Sequence, residues 1–408
     1  MKAFLLAAGE GTRMRPLTAN CPKPLLPVAG KPFLEHVLHR LKSAPISSAI
    51  VLIGWRGRRL KEHFGHGENL DISLDYVEQE ALEGTAAAVA LAEGHVGSRF
   101  LCLNGDVIFD GADLQEMIKR HGRGDDIVMA VAKEDRPELF GSVVVEDDRV
   151  AAIEEKPTRP VSPWVNAGIY VFNDAIFELI KQTPKSPRGE YEITDTLKLL
   201  LKEEEVVAHE LKGPWLDVGY PWDLLKANEV LLRDLKGHVE GEVEDGAVLK
   251  GPVKVAEGST VRTGSYIEGP VYIDGGSVVG PNCYIRPSTY VAEGCKVGNA
   301  CEVKNTIVMR NSHIPHHNYV GDSIIGEGCN LGSGTKVANL RLDGGTIPVM
   351  VKGRRLDTGL RKLGVIMGDR VKTGINVSID VGTVIGEDTS IGPGALVRGN
   401  VAPRSRIY

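Results

Sequence analysis

Short apolar runs alternate with amphipathic stretches along the first 240 residues of the chain. Runs of mostly aliphatic residues have the length of buried strands and predict β-strands at residues 3–8, 49–53, 100–104, 127–132 and 167–172. Aliphatic residues at helical spacing predict a helix over residues 33–41. Another helix is predicted over residues 221–237, which begin with proline and end with glycine. Strands that alternate with helices predict an α/β domain with a mostly parallel sheet and helices on both faces.

The apolar pattern changes near residue 240, where an aliphatic residue begins to recur at every sixth position. This register runs unbroken from Leu249 to Met309 and reappears over residues 379–397. A six-residue repeat is typical of a parallel β-helix, in which each repeat supplies one short strand and one corner, and the aliphatic residue points into the coil. We therefore predict two domains, at residues 1–237 and 238–408.

Composition and charge narrow the classes of function. Of the 408 residues, 42% are hydrophobic and 25% charged, as in an ordinary globular protein, and the formal charge of −6 argues against nucleic acid as a partner. No stretch approaches the roughly 18–20 apolar residues of a membrane span, and the first residues lack the pattern of a signal peptide. We expect a cytoplasmic protein without a membrane partner and with free thiols. Because Cys283, Cys295 and Cys301 are spaced by multiples of six, we expect them in one stacked column.

A glycine-rich loop follows the first predicted strand. Gly9 and Gly11 could bring backbone N–H groups close to phosphates, but a third glycine of the dinucleotide-binding pattern is missing and the Walker pattern is absent. The loop carries Arg13, Arg15 and Lys23, which suit a polyphosphate. On these residues alone, a solvated surface loop is the alternative, and for Arg15 both interpretations remain open.

The longer pattern around this loop resembles the signature of the sugar-1-phosphate nucleotidylyltransferases. The matching segments are LAAGEGTRMRPLT with PKPLLPVAGKP (6–32), QEALEGTAAAV (79–89), LNGDVIF (103–109), FGSVVV (140–145), IEEKP (153–157), VNAGIYVF (165–172) and WLDVG (215–219). They occur in the family's order from Leu6 to Gly219. The resemblance implies a Rossmann-like α/β domain with a mixed, mostly parallel sheet.

The resemblance implies nucleotidyl transfer from an NTP, UTP or dTTP, to a sugar 1-phosphate, N-acetylglucosamine 1-phosphate or glucose 1-phosphate, with release of pyrophosphate. It implies that Asp106 and Asp217 hold Mg²⁺, a hard cation that prefers carboxylate and phosphate oxygens. Arg13 and Lys23 would be catalytic. The implied nucleotide-binding residues are Ala8, Gly9, Gly11, Thr12, Gln79, Gly84 and Thr85. The implied sugar-phosphate-binding residues are Gly141, Glu155, Lys156 and Asn166.

The hexapeptide register stops after Met309, and residues 310–343 resemble the acetyltransferase half of the bifunctional enzymes that make UDP-N-acetylglucosamine. The resemblance implies His316 as general base, a role that suits imidazole near neutral pH. It implies substrate binding by Arg286, Lys304, Tyr319 and Asn339. It also implies acetyl-CoA as co-substrate, a left-handed β-helix, and a homotrimer with acetyl-CoA between neighbouring coils.

Residues 354–369 further resemble the archaeal sugar-1-phosphate nucleotidylyltransferase/acetyltransferases. One position departs from the bacterial pattern: the lysine six residues after Asn339 is replaced by Gly345, and Lys352 is a candidate substitute. The amino sugar that is acetylated therefore stays open. The alternative is a monofunctional pyrophosphorylase whose β-helix only oligomerises or regulates.

Overall fold

The computed structural model describes residues 1–121 and 127–408, with the backbone alone at His121. The chain divides into two compact units. The first unit comprises Met1–Glu10, Pro22–Leu25 and Phe33–Asp217, and the second comprises Gly11–Cys21, Leu26–Pro32 and Val218–Tyr408. Within the described ranges, the structure contains no helix long and apolar enough to cross a membrane.

A nine-stranded sheet forms the centre of the first unit among the described residues. In spatial order its strands are Ser73–Glu78, Ser48–Ile53, Lys2–Leu6, Arg99–Asn104, Trp164–Asn173, Ile127–Lys133, Val206–Glu210, Arg149–Glu155 and Gly141–Glu146. The pairings reverse only Trp164–Asn173 and Arg149–Glu155 within this described sheet. The mixed, mostly parallel sheet predicted from the sequence is therefore present.

Helices and short pairings complete the first unit. The helices are Phe33–Leu41, Gly57–Phe64, Thr85–Ala90, Gly111–His121, Ala175–Gln182 and Ile193–Leu200, with 3-10 turns at Lys23–Leu25, Glu68–Leu70 and Pro137–Leu139. Val107–Ile108 pairs with Leu216–Asp217 outside the large sheet. The core is apolar and contains Phe100, which stacks on Phe177 with 5.5 Å between ring centroids.

The second unit begins with a short hairpin and one helix. Pro27–Val28 pairs with Lys31–Pro32, and a 3-10 turn covers Thr12–Met14. The helix spans Pro221–Leu232 and is capped at Tyr220, where Asp223 accepts the backbone N–H at 2.7 Å. The helix predicted to reach residue 237 therefore ends earlier, at Leu232.

From residue 238 onward, short parallel strands build three sheets. The first contains His238–Val239, Val253–Val255, Val271–Ile273, Thr289–Val291, Ile307–Val308, Ile324–Ile325, Ile366–Met367, Val384–Ile385 and Asn400–Val401. The second contains Glu242–Val243, Thr260–Val261, Val278–Val279, Lys296–Asn299 and His313–His316, and Lys372–Thr373, Ser390–Ile391 and Arg406–Ile407 follow on the same side. The third contains Val248–Lys250, Tyr266–Glu268, Tyr284–Ile285, Glu302–Lys304, Tyr319–Gly321, Lys336–Val337, Ser378–Ile379 and Leu396–Val397.

Over most of the unit, each strand in these sheets pairs with the strand three repeats further along the chain. Val261 pairs with Val279, and Val279 pairs with Val297. Three six-residue repeats therefore complete one turn, and the many parallel strands are consistent with a β-helix. The predicted inward positions from Val255 to Val303 and from Ile379 to Val397 are buried, while Leu249 is half-buried.

Two details of the predicted register were wrong. Val308, not Met309, lies in the ladder with Val291, because one repeat is a residue short. The strands that follow Val308 continue the same sheets, and each of these turns is likewise one residue shorter than three full repeats. Residues 310–337 therefore belong to the coil and do not interrupt it. The larger interruption comes later: Ile324 pairs with Ile366, and the intervening chain contains the hairpin Pro348–Val351 with Arg354–Asp357.

The predicted column of three cysteines was also wrong. Cys283 and Cys301 are three repeats apart and precede the paired residues Tyr284 and Glu302, so they stack on one side of the coil. Cys295 precedes Lys296 on a different sheet. All six cysteines are free, and burial raises the pKa of Cys283 to about 12.

Candidate active site

The glycine-rich loop is divided between the two units. Ala8 and Gly9 belong to the first unit, where the Ala8 carbonyl accepts the Trp55 N–H at 3.3 Å and a Cβ at Gly9 would meet no atom within 4 Å. Gly11 and the turn Thr12–Met14 belong to the second unit. Gly11 has φ of +65°, which favours glycine.

Two cations of this loop have defined contacts. Within the second unit, the Arg13 guanidinium lies over the Tyr220 ring, 5.2 Å from its centroid. Within the first unit, the Lys23 ammonium lies 2.5 Å from Asp106 Oδ2, and only 12% of the Lys23 side chain is exposed. The mostly buried Lys23 side chain therefore forms an ion pair with Asp106, and two of the predicted site residues are in contact.

Asp217 lies on the strand next to Asp106. Asp106 directly precedes Val107, and Val107 pairs with Asp217 in the short antiparallel ladder. Among the described residues there is no cluster of three or more His, Cys, Asp or Glu side chains suited to a metal. Proteins nevertheless often bind Mg²⁺ with only one or two carboxylates, because waters and substrate phosphates supply its other ligands. The residues present therefore fit the predicted metal.

Three of the predicted nucleotide-binding residues lie at the ends of elements: Gln79 follows a parallel strand, and Gly84 and Thr85 begin a helix. Gln79 follows the strand Ser73–Glu78 and donates its backbone N–H to Ile53 at 2.8 Å. Gly84 has φ of +114°, and a Cβ there would lie 2.4 Å from the carbonyl oxygen of Tyr191, so only glycine fits. The Thr85 hydroxyl accepts the Ile193 N–H at 2.9 Å. This bond joins the first residue of the helix Thr85–Ala90 to the first residue of the helix Ile193–Leu200.

The predicted sugar-binding residues come together around Gly141. A Cβ at this position would lie 3.3 Å from Glu155 Oε2 and 3.5 Å from the Asn166 Cβ. The Asn166 amide donates to the Tyr170 hydroxyl at 2.7 Å, and burial raises the pKa of Tyr170. Lys156 lies beside this group, with its ammonium 3.6 Å from Glu155.

Two residues of this cluster were missed in the sequence analysis. Thr194 Cγ2 would lie 3.1 Å from a Cβ at Gly141, and the buried Thr194 hydroxyl has no hydrogen-bond partner within the part of the chain that the structure describes. Arg188 joins Glu155 at 3.1 Å to the buried Glu192 at 2.6 Å. Both lie in the long stretch between the motif that ends at Phe172 and the one that begins at Trp215, so no sequence signal pointed to them.

In the second unit, two predicted cations line one cavity. Arg286 pairs with Glu302 at 2.8 Å, and Lys304 lies 3.4 Å from the buried carboxylate of Asp322. The cavity has a volume of about 360 Å³, and it is lined by Glu229, Glu268, Arg286, Pro287, Ser288, Lys304, Asn305 and Asp322. Two cations and three carboxylates therefore line this polar recess, and each of the two cations is paired with a carboxylate.

Tyr319 and Asn339 are in direct contact beside this cavity. The Asn339 amide donates to the Tyr319 hydroxyl at 3.1 Å, and burial raises the pKa of Tyr319. His316, three residues before Tyr319, is exposed at the end of its strand opposite Asn299. Lys352 lies in the turn of the inserted hairpin, with φ of +50°.

Tyr319 also lines a further cavity, of about 310 Å³. The lining residues of this cavity are Tyr319, Lys336, Val337, Ala338, Ser378, Ile379, Asp380 and Leu396. Through Asn339, Tyr319 is connected to Asp322, which lines the polar recess. Tyr319, Asn339 and Asp322 therefore connect the polar recess, which is lined by Arg286 and Lys304, to this second cavity.

Known proteins match this chain over its whole length. The profile of the Nucleotidyl transferase family matches residues 2–234, and that of the GMPPB C-terminal domain matches residues 267–407. The bifunctional protein GlmU of Methanocaldococcus jannaschii is 43% identical over 409 residues, which cover 100% of this chain and 97% of the relative. The bifunctional sugar-1-phosphate nucleotidylyltransferase/acetyltransferase of Sulfurisphaera tokodaii is 38% identical, with 98% of each chain covered.

A solved structure matches the first part of the chain. It is described as a putative glucose-1-phosphate thymidylyltransferase from Bacillus anthracis in complex with sucrose, is 32% identical, and superposes with a TM-score of 0.54. The match covers 58% of this chain and 97% of that one. From the family profile and the full-length relatives together, the chain belongs to the nucleotidyl transferase family and to its bifunctional sugar-1-phosphate nucleotidylyltransferase/acetyltransferase members, as the sequence predicted.

Proposed function

We propose that this protein carries out two steps of nucleotide-sugar synthesis. One step transfers a nucleotidyl group from UTP or dTTP to N-acetylglucosamine 1-phosphate or glucose 1-phosphate and releases pyrophosphate. The other transfers the acetyl group of acetyl-CoA to the amine of glucosamine 1-phosphate or a related amino-sugar 1-phosphate. The name of the Sulfurisphaera tokodaii relative joins a sugar-1-phosphate nucleotidylyltransferase and an acetyltransferase in one chain, which supports this proposal. The Methanocaldococcus jannaschii relative is likewise named as bifunctional.

The observation that best supports nucleotidyl transfer is the Lys23–Asp106 pair with Asp217 on the adjacent strand. A phosphate oxygen of the sugar phosphate attacks the α-phosphorus of the NTP, and the bond to the pyrophosphate oxygen breaks. Both reactants are anions, so Lys23 and Arg13 lower the repulsion between them. Asp106 and Asp217 would hold Mg²⁺, which supplies further neutralisation of phosphate charge when bound.

The remaining residues predicted to bind the nucleotide and the sugar phosphate would fix the two substrates. Ala8, Gly9, Gly11, Thr12, Gln79, Gly84 and Thr85 would bind the nucleotide. Gly141, Glu155, Lys156 and Asn166 would bind the sugar and its phosphate. The contacts around Gly141 favour this role because the absence of a side chain there leaves room between Glu155, Asn166 and Thr194.

The cavity that contains Arg286 and Lys304 best supports acetyl transfer. These cations would hold the phosphate, and Tyr319 and Asn339 would hydrogen-bond the sugar. His316 would take the proton from the substrate ammonium. The free amine then attacks the thioester carbonyl, the C–S bond breaks, and coenzyme A leaves as the thiolate, which takes up a proton. The apolar cavity beside Tyr319 is the candidate place for acetyl-CoA.

We further infer the architecture that these activities require. Residues 1–237 would carry nucleotidyl transfer, and residues 238–408 would form a left-handed parallel β-helix that carries acetyl transfer. The chain would assemble as a homotrimer through its β-helices. The pairing of strands three repeats apart supports the β-helix.

Asp106→Asn and Asp217→Asn in the full chain test nucleotidyl transfer. Each should lower pyrophosphate release from UTP or dTTP and a sugar 1-phosphate at least ~10²-fold, as expected when one electrostatic catalytic group is lost. The matched control is Asp71→Asn, because this aspartate is exposed and pairs with Lys42. Near wild-type rates in both variants at saturating Mg²⁺ would contradict the assignment.

The acetyltransferase step is tested on the wild-type protein by release of the coenzyme A thiol. Release should require acetyl-CoA together with glucosamine 1-phosphate or another amino-sugar 1-phosphate. If no amino-sugar phosphate supports release, the protein is a monofunctional pyrophosphorylase whose coil is a scaffold.

A further inference from the structure

Asp322 is a buried carboxylate at the junction of the candidate acetyltransferase residues, and the sequence analysis gave it no role. Only 4% of this residue is exposed. It follows the strand Tyr319–Gly321 and adopts φ of +50°. An acidic residue that is almost completely buried is rarely found without partners, and here the partners are the site residues themselves.

Three side chains donate hydrogen bonds to Asp322. The Asn339 amide lies 2.5 Å from its Oδ2, and the Asn305 amide lies 2.8 Å from its Oδ1. The Lys304 ammonium lies 3.4 Å from Oδ2. Asp322 therefore contacts two of the residues that are proposed to bind the amino-sugar phosphate.

The chemistry of a carboxylate decides which way the Asn339 amide faces. An ionised carboxylate only accepts hydrogen bonds, so it selects the NH₂ end of the amide. The same NH₂ group donates to the Tyr319 hydroxyl. Both amide hydrogens are thereby used, and the carbonyl oxygen of Asn339 faces away from Asp322. Tyr319 accepts in this contact and keeps its own proton to donate.

Glycine at position 321 is what allows this arrangement. A Cβ at Gly321 would lie 2.7 Å from both the Asn339 Nδ2 and the Tyr319 hydroxyl oxygen. Both side chains therefore pack against the backbone of the residue that precedes Asp322. Packing and hydrogen bonding together leave the Asn339 amide one orientation.

We propose that Asp322 is a positioning residue that fixes the hydrogen-bonding polarity of the acetyl-transfer site. Through it, Asn339 presents an acceptor and Tyr319 a donor to the hydroxyl groups of the amino-sugar phosphate. The proposal rests on the acetyltransferase activity proposed above, and the experiment separates the failure of one from the failure of the other.

The first test is Asp322→Asn in the full chain. Asparagine has nearly the same shape, but its amide can offer either a donor or an acceptor, so Asn339 is no longer held one way. The kcat/KM for glucosamine 1-phosphate should fall about 10- to 100-fold, the usual effect of losing a supporting hydrogen-bonded group. The KM for acetyl-CoA and the rate of nucleotidyl transfer should not change.

Asp274→Asn is the matched control in the same coil. Asp274 accepts hydrogen bonds from the Tyr272 and Tyr290 hydroxyls at 3.3 and 3.0 Å, away from the residues proposed to bind substrate. This variant should keep wild-type acetyl transfer. Asp322→Glu, which keeps an acceptor-only carboxylate, should retain more activity than Asp322→Asn even if both variants melt at a lower temperature.

A double-mutant cycle separates positioning from a general structural role. In the Asn339→Ala background there is no amide to orient, so adding Asp322→Asn should lower kcat/KM by less than about 3-fold. A full, multiplicative loss in that background would overturn the proposal, as would wild-type kinetics of Asp322→Asn. If the wild-type protein itself transfers no acetyl group, the proposed acetyltransferase function fails and the role of Asp322 fails with it.

Discussion

His209, in the first unit, is a residue whose surroundings predict a pH effect on stability. It is 2% exposed, and among the described residues neither ring nitrogen has a hydrogen-bond partner, although Nε2 lies 3.8 Å from Asp113 Oδ1. Burial lowers the pKa of His209 from its ordinary 6.5, and the charge of Arg120 lowers it further, while Asp113 and Glu116 oppose the shift. The unfolded chain therefore binds this proton more readily than the folded one, and stability should fall as the pH drops below about 6.5.

His209→Gln should remove much of this pH dependence, because glutamine stays neutral throughout the range. The measurement is the melting temperature of wild type and variant between about pH 7.5 and about pH 5.5, where histidine titrates. His95→Gln is the control, since His95 is exposed in the same unit. A wild-type loss on acidification that persists unchanged in His209→Gln would show that other groups cause it.

The sequence predicted some side chains of the candidate sugar-binding site and missed others. Gly141, Glu155 and Asn166 lie in strands whose motifs were recognisable, and the sheet brings them within contact of one another. Arg188 and Thr194 reach the same place from a loop and from the start of a helix. Their proximity depends on how that segment packs against the strands, which no local pattern in the sequence encodes.

At the scale of elements, strongly periodic segments were predicted well and their ends less well. The helix Phe33–Leu41 has the predicted bounds because its apolar stripe is complete. The period of six correctly placed the buried residues from Val255 to Val303 and from Ile379 to Val397. A single repeat describes one side of the coil, however, and a full turn takes three repeats. That is why Cys295 stacks apart from Cys283 and Cys301. The register also changes at the shortened repeat before Val308 and at the inserted hairpin. Neither change is marked by a different amino-acid composition, so the sequence pattern did not predict them.

The inward column of the coil makes a prediction about Val279. Its side chain is fully buried, so Val279→Asp would place an unpaired carboxylate inside the coil, at a destabilisation of several kcal/mol. Calorimetry should show a lower melting transition. Val278→Asp is the matched control, because Val278 lies on the same strand facing the other side and is only half-buried. Equal melting temperatures for the two variants would mean that Val279 does not point into the coil.

At the scale of the molecule, the residues proposed for the two activities lie in different parts of one chain. Asp106 belongs to the first unit and His316 to the second. In the proposed function the two steps are linked, because the N-acetylated sugar phosphate that acetyl transfer would produce is a candidate substrate of nucleotidyl transfer. Single-residue variants of the full chain should therefore remove either activity without the other.

His316→Ala should lower acetyl transfer by ~10²–10⁴, the usual effect of losing a general base, and leave pyrophosphate release intact. Asp106→Asn should do the reverse. Neither variant alone should convert glucosamine 1-phosphate, acetyl-CoA and UTP into the acetylated nucleotide sugar, whereas a mixture of the two should, because the intermediate diffuses between molecules. The readout is the nucleotide-sugar product measured over time. Loss of both activities in His316→Ala would show that the two sites depend on each other, and a mixture without product would show that the intermediate is not released.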